Sequence, residues 1–109
     1  MSTRIMYLRD ATSRPVGCVA IQLDSFSSDH VDYQLSVLNP HDNFDRARAR
    51  QIAEGRLELH PISVKLDKPL NMHSISEAVM MAIASDKSAA SRARRAAERW
   101  LRVTNKPAV

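Results

Sequence analysis

The first third of the chain carries three apolar stretches that predict strands. "RIMYLR" and "VGCVAIQL" are apolar on both faces, which is typical of covered strands, and "DATSRP" between them predicts a turn. "VDYQLSVL" alternates strictly, with Val31, Tyr33, Leu35 and Val37 on one side. This alternation predicts a half-buried strand, and three successive strands most simply form an antiparallel meander.

Helical spacing begins after "NPHDNFD", where Asp42 or Asn43 is the predicted N-cap. The predicted buried stripe of this helix consists of Ala49, Ile52, Ala53 and Leu57. Arg50 stands one turn before Glu54, a spacing that favours an ion pair. "HPISVKLDKP" then predicts a short fourth strand.

Two further helices are predicted in the second half of the chain. Ser74 and Glu77 form a capping box for "ISEAVMMAIA", which is apolar almost all round and therefore belongs in the core or at an interface. A break at "SDKS", with Ser85 or Asp86 as cap, separates it from a basic amphipathic helix at about 86–105, ending near Thr104 or Asn105.

These elements follow each other in the order βββαβαα. The expected fold class is α+β, with a four-stranded antiparallel sheet and helices packed on one face. A chain of 109 residues is expected to form a single domain over residues 1–109.

Composition favours an intracellular protein. No apolar run approaches the roughly 20 residues that a bilayer helix needs, and "MSTRIMYLRD" carries charges where a signal peptide needs an apolar core. The single cysteine, Cys18, cannot form an internal disulfide, which agrees with a reducing compartment. We therefore expect a cytoplasmic location and no membrane partner.

Charge is distributed unevenly along the chain. Residues 1–45 hold three arginines against six aspartates, whereas residues 46–109 hold thirteen Lys or Arg against six acids. The net charges of −3 and +7 favour an anionic partner for the second half. Twelve of the sixteen cations are arginine, whose planar fork suits phosphate.

The sequence shows none of the residue spacings that are typical of common catalytic sites. The four histidines show no metal-ligand spacing, and the two glycines cannot build a phosphate-binding loop. Cys18 lies within an apolar strand and is interpreted as a core residue. The sequence thus predicts a protein that is not an enzyme and that needs no metal or cofactor.

The stretch "SRARRAAERWLRVTNK" carries the main functional signal. Its cations at Arg92, Arg95, Arg99, Arg102 and Lys106 step by three and four residues, so they share one side of a helix over about 20 Å. A stripe of this length can meet several phosphates. It can also be only the solvated face of a helix whose other side, with Trp100, packs on a neighbour. Glu98 at its edge can pair with Arg94 or Arg102.

Other residues extend the candidate nucleic-acid interface. Arg46 or Arg50 can enlarge the basic patch, and Phe26 in "DSFSSDH" is the aromatic best placed for base stacking. Phosphate contacts dominate this set, so binding should be weakly sequence-specific. The candidate residues are Arg92, Arg95, Arg99, Arg102, Lys106, Arg46, Arg50 and Phe26.

Together, "RPVGCVAIQLD" and "YQLSVLNPHDNFDRARARQIAEGRLE" resemble the small early proteins of tailed bacteriophages. The resemblance covers roughly residues 4–66 and implies a phage origin. Some phage proteins of this size are single-stranded DNA-binding cofactors that bring a phage RNA polymerase to melted promoters, so the resemblance also implies a DNA role. Other small phage proteins bind and disable host proteins, which is the alternative function.

The same sequence predicts self-association. Met80 and Met81 lie off the main stripe of their helix, and one small sheet cannot cover so many apolar sides. A homo-oligomer, or a protein partner bound through Met80, Met81 and the Trp100 side, would cover them. A nucleic-acid binder would use the arginine side instead and leave Trp100 buried.

Overall fold

The computed structural model describes residues 2–23, 30–38, 43–66 and 71–104. Its sheet consists of β1 (Ser2–Arg9), β2 (Pro15–Leu23), β3 (His30–Val37) and β4 (Ile62–Lys65), all antiparallel and in that spatial order. The helices are α1 (Arg46–Leu59), α2 (Met72–Ser85) and α3 (Ser91–Thr104). The α+β class, the four-stranded antiparallel sheet and the element order are confirmed. None of the described helices is long and apolar enough to cross a membrane.

Helices cover both faces of the sheet, so the prediction that they pack on one face is wrong. On one face, α1 packs over β2 and β3 and buries Cys18 and Ala20 beneath Ala53 and Leu57. The other face carries α2 and α3. The physical reason lies in β2, which is apolar on both sides, so a single helical layer would leave one apolar face of the central sheet in water.

The larger core lies between the sheet and the α2–α3 pair. Its largest fully buried side chains are Tyr33, Leu8, Ile21, Met80, Ile83, Val19 and Val79. The predicted apolar side of β3 faces this core. Its polar side is covered in part by α1, since the Ser36 hydroxyl donates a hydrogen bond to the Ala49 carbonyl at 2.8 Å.

Not all of the predicted α1 stripe is buried. Ala53 and Leu57 are buried and Ala49 is half-buried, but Ile52 remains 37% exposed. Ile52 directly precedes Ala53 and lies 100° from it around the helix, at the border of the contact with the sheet.

A bulge and a fixed turn shape the end of the β1–β2 hairpin. Leu8 pairs with Gly17, but Arg9 pairs with Pro15, so Val16 is the extra residue of the bulge. Val16 is buried in the larger core. This end of the hairpin lies beside α3, and Arg9 is exposed there.

The turn after β1 is held by Asp10. Its Oδ1 accepts hydrogen bonds from the backbone N–H of Thr12 at 2.9 Å, from the Thr12 hydroxyl at 2.7 Å and from the backbone N–H of Arg14 at 3.0 Å. Ser13 has a φ of 66°, in the left-handed region, and the Asp10 bonds around it stabilise that conformation.

Two predicted N-caps are wrong. α1 is capped by Asp45, which accepts from the backbone N–H of Arg48, and not by Asn43; Asp42 lies outside the described residues. α2 begins at Met72 because Asn71 accepts from the backbone N–H of Ser74 at 2.9 Å. Ser74 is thus a residue inside the helix rather than its cap.

The predicted break between α2 and α3 is confirmed, but Asp86 has a different role from the predicted one. α2 ends at Ser85, and the Asp86 carboxylate accepts from the backbone N–H and the hydroxyl of Ser88 at 2.9 and 2.6 Å. Asp86 therefore orders the connection and does not cap α3, which starts only at Ser91. Thr104 is the last described residue of α3, within the predicted range of Thr104 or Asn105; Asn105 lies outside the described residues.

Candidate nucleic-acid interface

The fold presents the arginine side of α3 outward because its other side is made of small residues. Ala93, Ala96 and Ala97 are buried, and α3 packs on α2 and against β1 and β2. Small side chains let the helix backbone approach these neighbours closely. The remaining side carries Arg95 and Arg102, which are exposed, with Arg92 and Arg99, which are half-buried.

A groove of about 510 Å³ runs between α3 and the end of the β1–β2 hairpin. All four described arginines of the predicted stripe line it, and Arg9 of β1 joins them from the opposite wall. We call it the arginine groove; its arginines are Arg9, Arg92, Arg95, Arg99 and Arg102. The sequence does not predict a role for Arg9, because a single arginine at the end of a strand belongs to no periodic pattern.

Two acids also line the arginine groove. The pKa of the Asp10 carboxyl lies below its ordinary value, chiefly because of the hydrogen bond from the Thr12 hydroxyl, so Asp10 is charged at neutral pH. Its Oδ1 is already occupied by the turn. Glu98 forms no ion pair within 4.0 Å with Arg94 or Arg102, although the sequence favours both pairings. Among the described lining residues, five positive charges face two negative ones.

The arginines differ in how firmly they are held. Arg92 donates from Nη1 to the Leu38 carbonyl at 2.7 Å, a bond that fastens the start of α3 to the end of β3. Arg9 donates from Nη1 to the Ser13 carbonyl at 3.0 Å, and Arg95 has only a long bond of 3.4 Å to Ser91. A guanidinium has five N–H donors, so each of these side chains keeps donors for an anion.

Arg46 and Arg50 lie on the other face of the sheet and are not part of the arginine groove. Their helix, α1, forms a separate pocket of about 440 Å³ with Tyr7. Arg50 is paired with Glu54, Nε to Oε1, at 2.6 Å, which confirms that predicted pair. This hydrogen bond raises the pKa of Arg50, and the pair leaves little net charge there.

Arg46 contacts the edge strand of the sheet. Its guanidinium lies 5.2 Å from the centre of the Tyr7 ring, a cation–π arrangement. Tyr7 belongs to the edge strand β1, and its ring faces α1. Arg46 therefore approaches the same sheet edge from the opposite side. Lys106 and Phe26, the other two candidates, lie outside the described residues.

An apolar pocket of about 250 Å³ continues the arginine groove toward the C-terminal end of α3. It shares Arg9, Ala96 and Arg99 with the groove. We call it the apolar end; its remaining lining residues are Tyr7, Leu8, Trp100, Val103 and Thr104. The sequence predicts that the Trp100 side of α3 packs on a neighbour, and the structure places Trp100 against the larger core and also at the border of this open pocket.

No family model, curated protein or solved structure matches this chain.

The single cysteine of the chain, a candidate reactive group, lies in the interior. Cys18 is fully buried, which confirms it as a core residue, and burial raises the pKa of its thiol to about 11. The thiol is therefore protonated at neutral pH. Within the described ranges, no group of three or more His, Cys, Asp or Glu residues could hold a metal ion.

Proposed function

We propose that this protein is a non-enzymatic nucleic-acid-binding protein that holds the phosphate backbone of single-stranded DNA in the arginine groove. The observation that carries the proposal is the convergence of Arg9 with the arginines of α3 on one cavity. A solvated helix face explains the charges of α3 alone. It does not explain why a strand from elsewhere adds a fifth arginine to the same cavity.

The charge arrangement favours a polyanion. Bringing five guanidinium groups around one cavity is unfavourable without counter-ions, and the two acids offset only part of that charge. Phosphate oxygens accept charge-assisted, often bidentate hydrogen bonds from arginine. Between Arg92 and Arg102 the stripe spans about 15 Å at 1.5 Å per residue, enough for several phosphates. Because phosphates are the same in every sequence, binding should be weakly sequence-specific.

The resemblance to phage early proteins extends the proposal to a role. A small DNA-binding cofactor of phage transcription or replication would act in the host bacterial cytoplasm, with a phage RNA polymerase as its protein partner. Single-stranded DNA is the ligand that such a cofactor meets at a melted promoter.

The proposal is tested by binding of fluorescent oligonucleotides at two salt concentrations. We expect single-stranded DNA of several unrelated sequences to bind with similar affinity and to weaken steeply as salt rises. Duplex DNA of the same length should bind more weakly. Affinity that does not depend on salt, or no binding at low salt, would contradict the proposal.

A second candidate function, a protein-interaction module, is favoured by a different surface. An apolar groove of about 480 Å³ lies between β4 and α2, and Met81 on its rim is 54% exposed. Met80 does not contribute, because it is fully buried in the core, so that part of the predicted protein-binding surface is wrong. A host or phage protein, or a second copy of this chain, would bind through Met81 and leave the arginine groove open.

A further inference from the structure

The apolar end of the arginine groove differs chemically from the rest of it. We propose that it binds one base of the DNA strand, stacked beside Trp100, while the neighbouring arginines hold the phosphates. This inference rests on the proposed function and adds a base-binding pocket to it.

Continuity with the arginine groove supports this assignment. The two cavities share Arg9 and Arg99, one from each wall. A ligand that passes from one cavity to the other must therefore carry negative charge beside an apolar group. A nucleotide has this composition, since its phosphate is joined through a sugar to a flat aromatic base.

The size of the apolar end suits a single ring system. Its volume of about 250 Å³ is below the range of about 300–1,000 Å³ that is typical of pockets for drug-sized ligands. Its mouth is apolar and uncovered, because Val103 in the last turn of α3 is 62% exposed. A base inserted there would cover Val103 and extend the contact with Leu8 below it.

Among the described residues, one aromatic ring, that of Trp100 in α3, borders the pocket; it is half-buried and faces Leu8 of β1 across the pocket. The Tyr7 ring lies on the opposite face of the sheet, against the Arg46 guanidinium, so Trp100 is the lining residue that offers a ring for stacking. His73 of α2 stacks on Trp100, with ring centres 6.4 Å apart and planes 29° apart, and this contact restrains the indole. A restrained aromatic surface beside guanidinium groups is the arrangement that single-strand binders use for base stacking.

A base pocket has a direct consequence for specificity. A base can enter it only after leaving the stack of a duplex, which costs free energy that a single strand does not require. Every base has a π-face, so the pocket would select single strands without selecting a sequence.

The test compares two ligands on the unmodified protein and follows its own fluorescence. Trp100 is the single tryptophan of the chain. One ligand is a dye-labelled oligothymidylate, and the other is a dye-labelled strand of equal length in which every base is replaced by an abasic site. Dye anisotropy reports binding, and Trp100 emission reports stacking.

We expect the oligothymidylate to quench Trp100 emission as it binds. The abasic strand should still bind at low salt through its phosphates, with an affinity lower by a factor of about ten or more. It should leave the Trp100 emission unchanged. Arg95→Ala, which lies in the arginine groove but not in the apolar end, should weaken both ligands alike and preserve the quenching at saturation.

The possible contrary results are distinguishable. Equal affinity for both ligands, or binding of oligothymidylate without a change in emission, would overturn the base pocket and leave the arginine groove intact. Failure of both ligands to bind at low salt would overturn the proposed function as well.

Discussion

At the scale of single residues, Gly17 shows how little space the sheet leaves. A Cβ at this position would clash with the Ser36 carbonyl oxygen, a backbone atom of the neighbouring strand that cannot move without disturbing the pairing. Gly17→Ala should therefore destabilise the fold by about 1–3 kcal/mol. The measurement is urea unfolding followed by circular dichroism.

Gly55→Ala is the matched control for this substitution. Gly55 lies within α1 and has open space around a Cβ, so alanine should stabilise the helix by about 0.5–1 kcal/mol. Two substitutions with the same effect on the unfolding midpoint would contradict this account of Gly17.

Cys18 gives a second prediction at this scale. Its thiol has a pKa of about 11 in the folded protein, raised mainly by burial, against an ordinary value of 9.0. The folded state thus favours the protonated thiol, and this contribution to stability is present below pH 9 and is lost as pH rises through 11. Stability of the unmodified protein should fall over this window relative to Cys18→Ala.

The Cys18→Ala variant removes other high-pH titrations from the comparison, since both proteins share them. At neutral pH it should cost about 1–2 kcal/mol and leave nucleic-acid binding unchanged. Parallel pH profiles for the two proteins, or loss of binding with an unchanged melting temperature, would show that Cys18 is not a core thiol.

At the scale of elements, hydrophobic periodicity predicts, in order, each strand and helix of the described part of the chain. The repeat along each segment reports which face is apolar, and "VDYQLSVL" with its strict alternation is the clearest example. Periodicity could not show which face of the sheet each helix covers, because β2 is apolar on both. It also could not choose among several polar residues before a helix, so the caps of α1 and α2 were misplaced.

The caps can be tested directly. Asn71→Ala should destabilise the fold by about 1 kcal/mol, because it leaves the backbone N–H of Ser74 without its acceptor. Ser74→Ala should cost less, since Ser74 lies inside α2. Thermal unfolding of the two variants measures the difference. A larger loss of stability for Ser74→Ala would indicate that Ser74 is the N-cap, as the sequence predicts.

The sequence also predicted the arginine stripe of α3, since a helical repeat of three and four residues fixes a common side. The partners of that stripe came from the tertiary fold. Arg9 lines the groove from the hairpin end next to the bulge at Val16, and Leu8 of the edge strand β1 lines its apolar end. Neither feature leaves a repeat in the sequence.

At the scale of the whole molecule, the structure leaves a smaller apolar surface available for self-association than the sequence predicts. α2 is covered by the sheet and by α3, so its all-round apolar character is mostly satisfied within the monomer. The uncovered part is Met81 beside the edge strand β4. A dimer formed through this groove should be converted to a monomer of 12.2 kDa by Met81→Glu.

Light scattering at micromolar concentration measures the mass of the unmodified protein and of the Met81→Glu variant. Val103→Glu is the control, because Val103 is also an exposed apolar residue but lies at the opposite edge of the sheet, and it should leave the mass unchanged. A mass of 12.2 kDa for the unmodified protein would contradict self-association.

The central claim, that the arginine groove holds phosphates, is tested most directly by the salt dependence of binding to single-stranded DNA. Contacts from Arg9, Arg95, Arg99 and Arg102 predict a slope of log K against log salt near −2.8, at about −0.7 per contact. Arg92 adds less, because it is held by the Leu38 carbonyl.

The decisive comparison uses two double variants that remove the same charge. Arg95→Ala with Arg99→Ala should flatten the slope by about 1.4 and weaken every sequence alike. Arg48→Ala with Lys65→Ala, two exposed cations outside the groove, should leave the slope unchanged. Equal slopes for the two double variants would contradict the account.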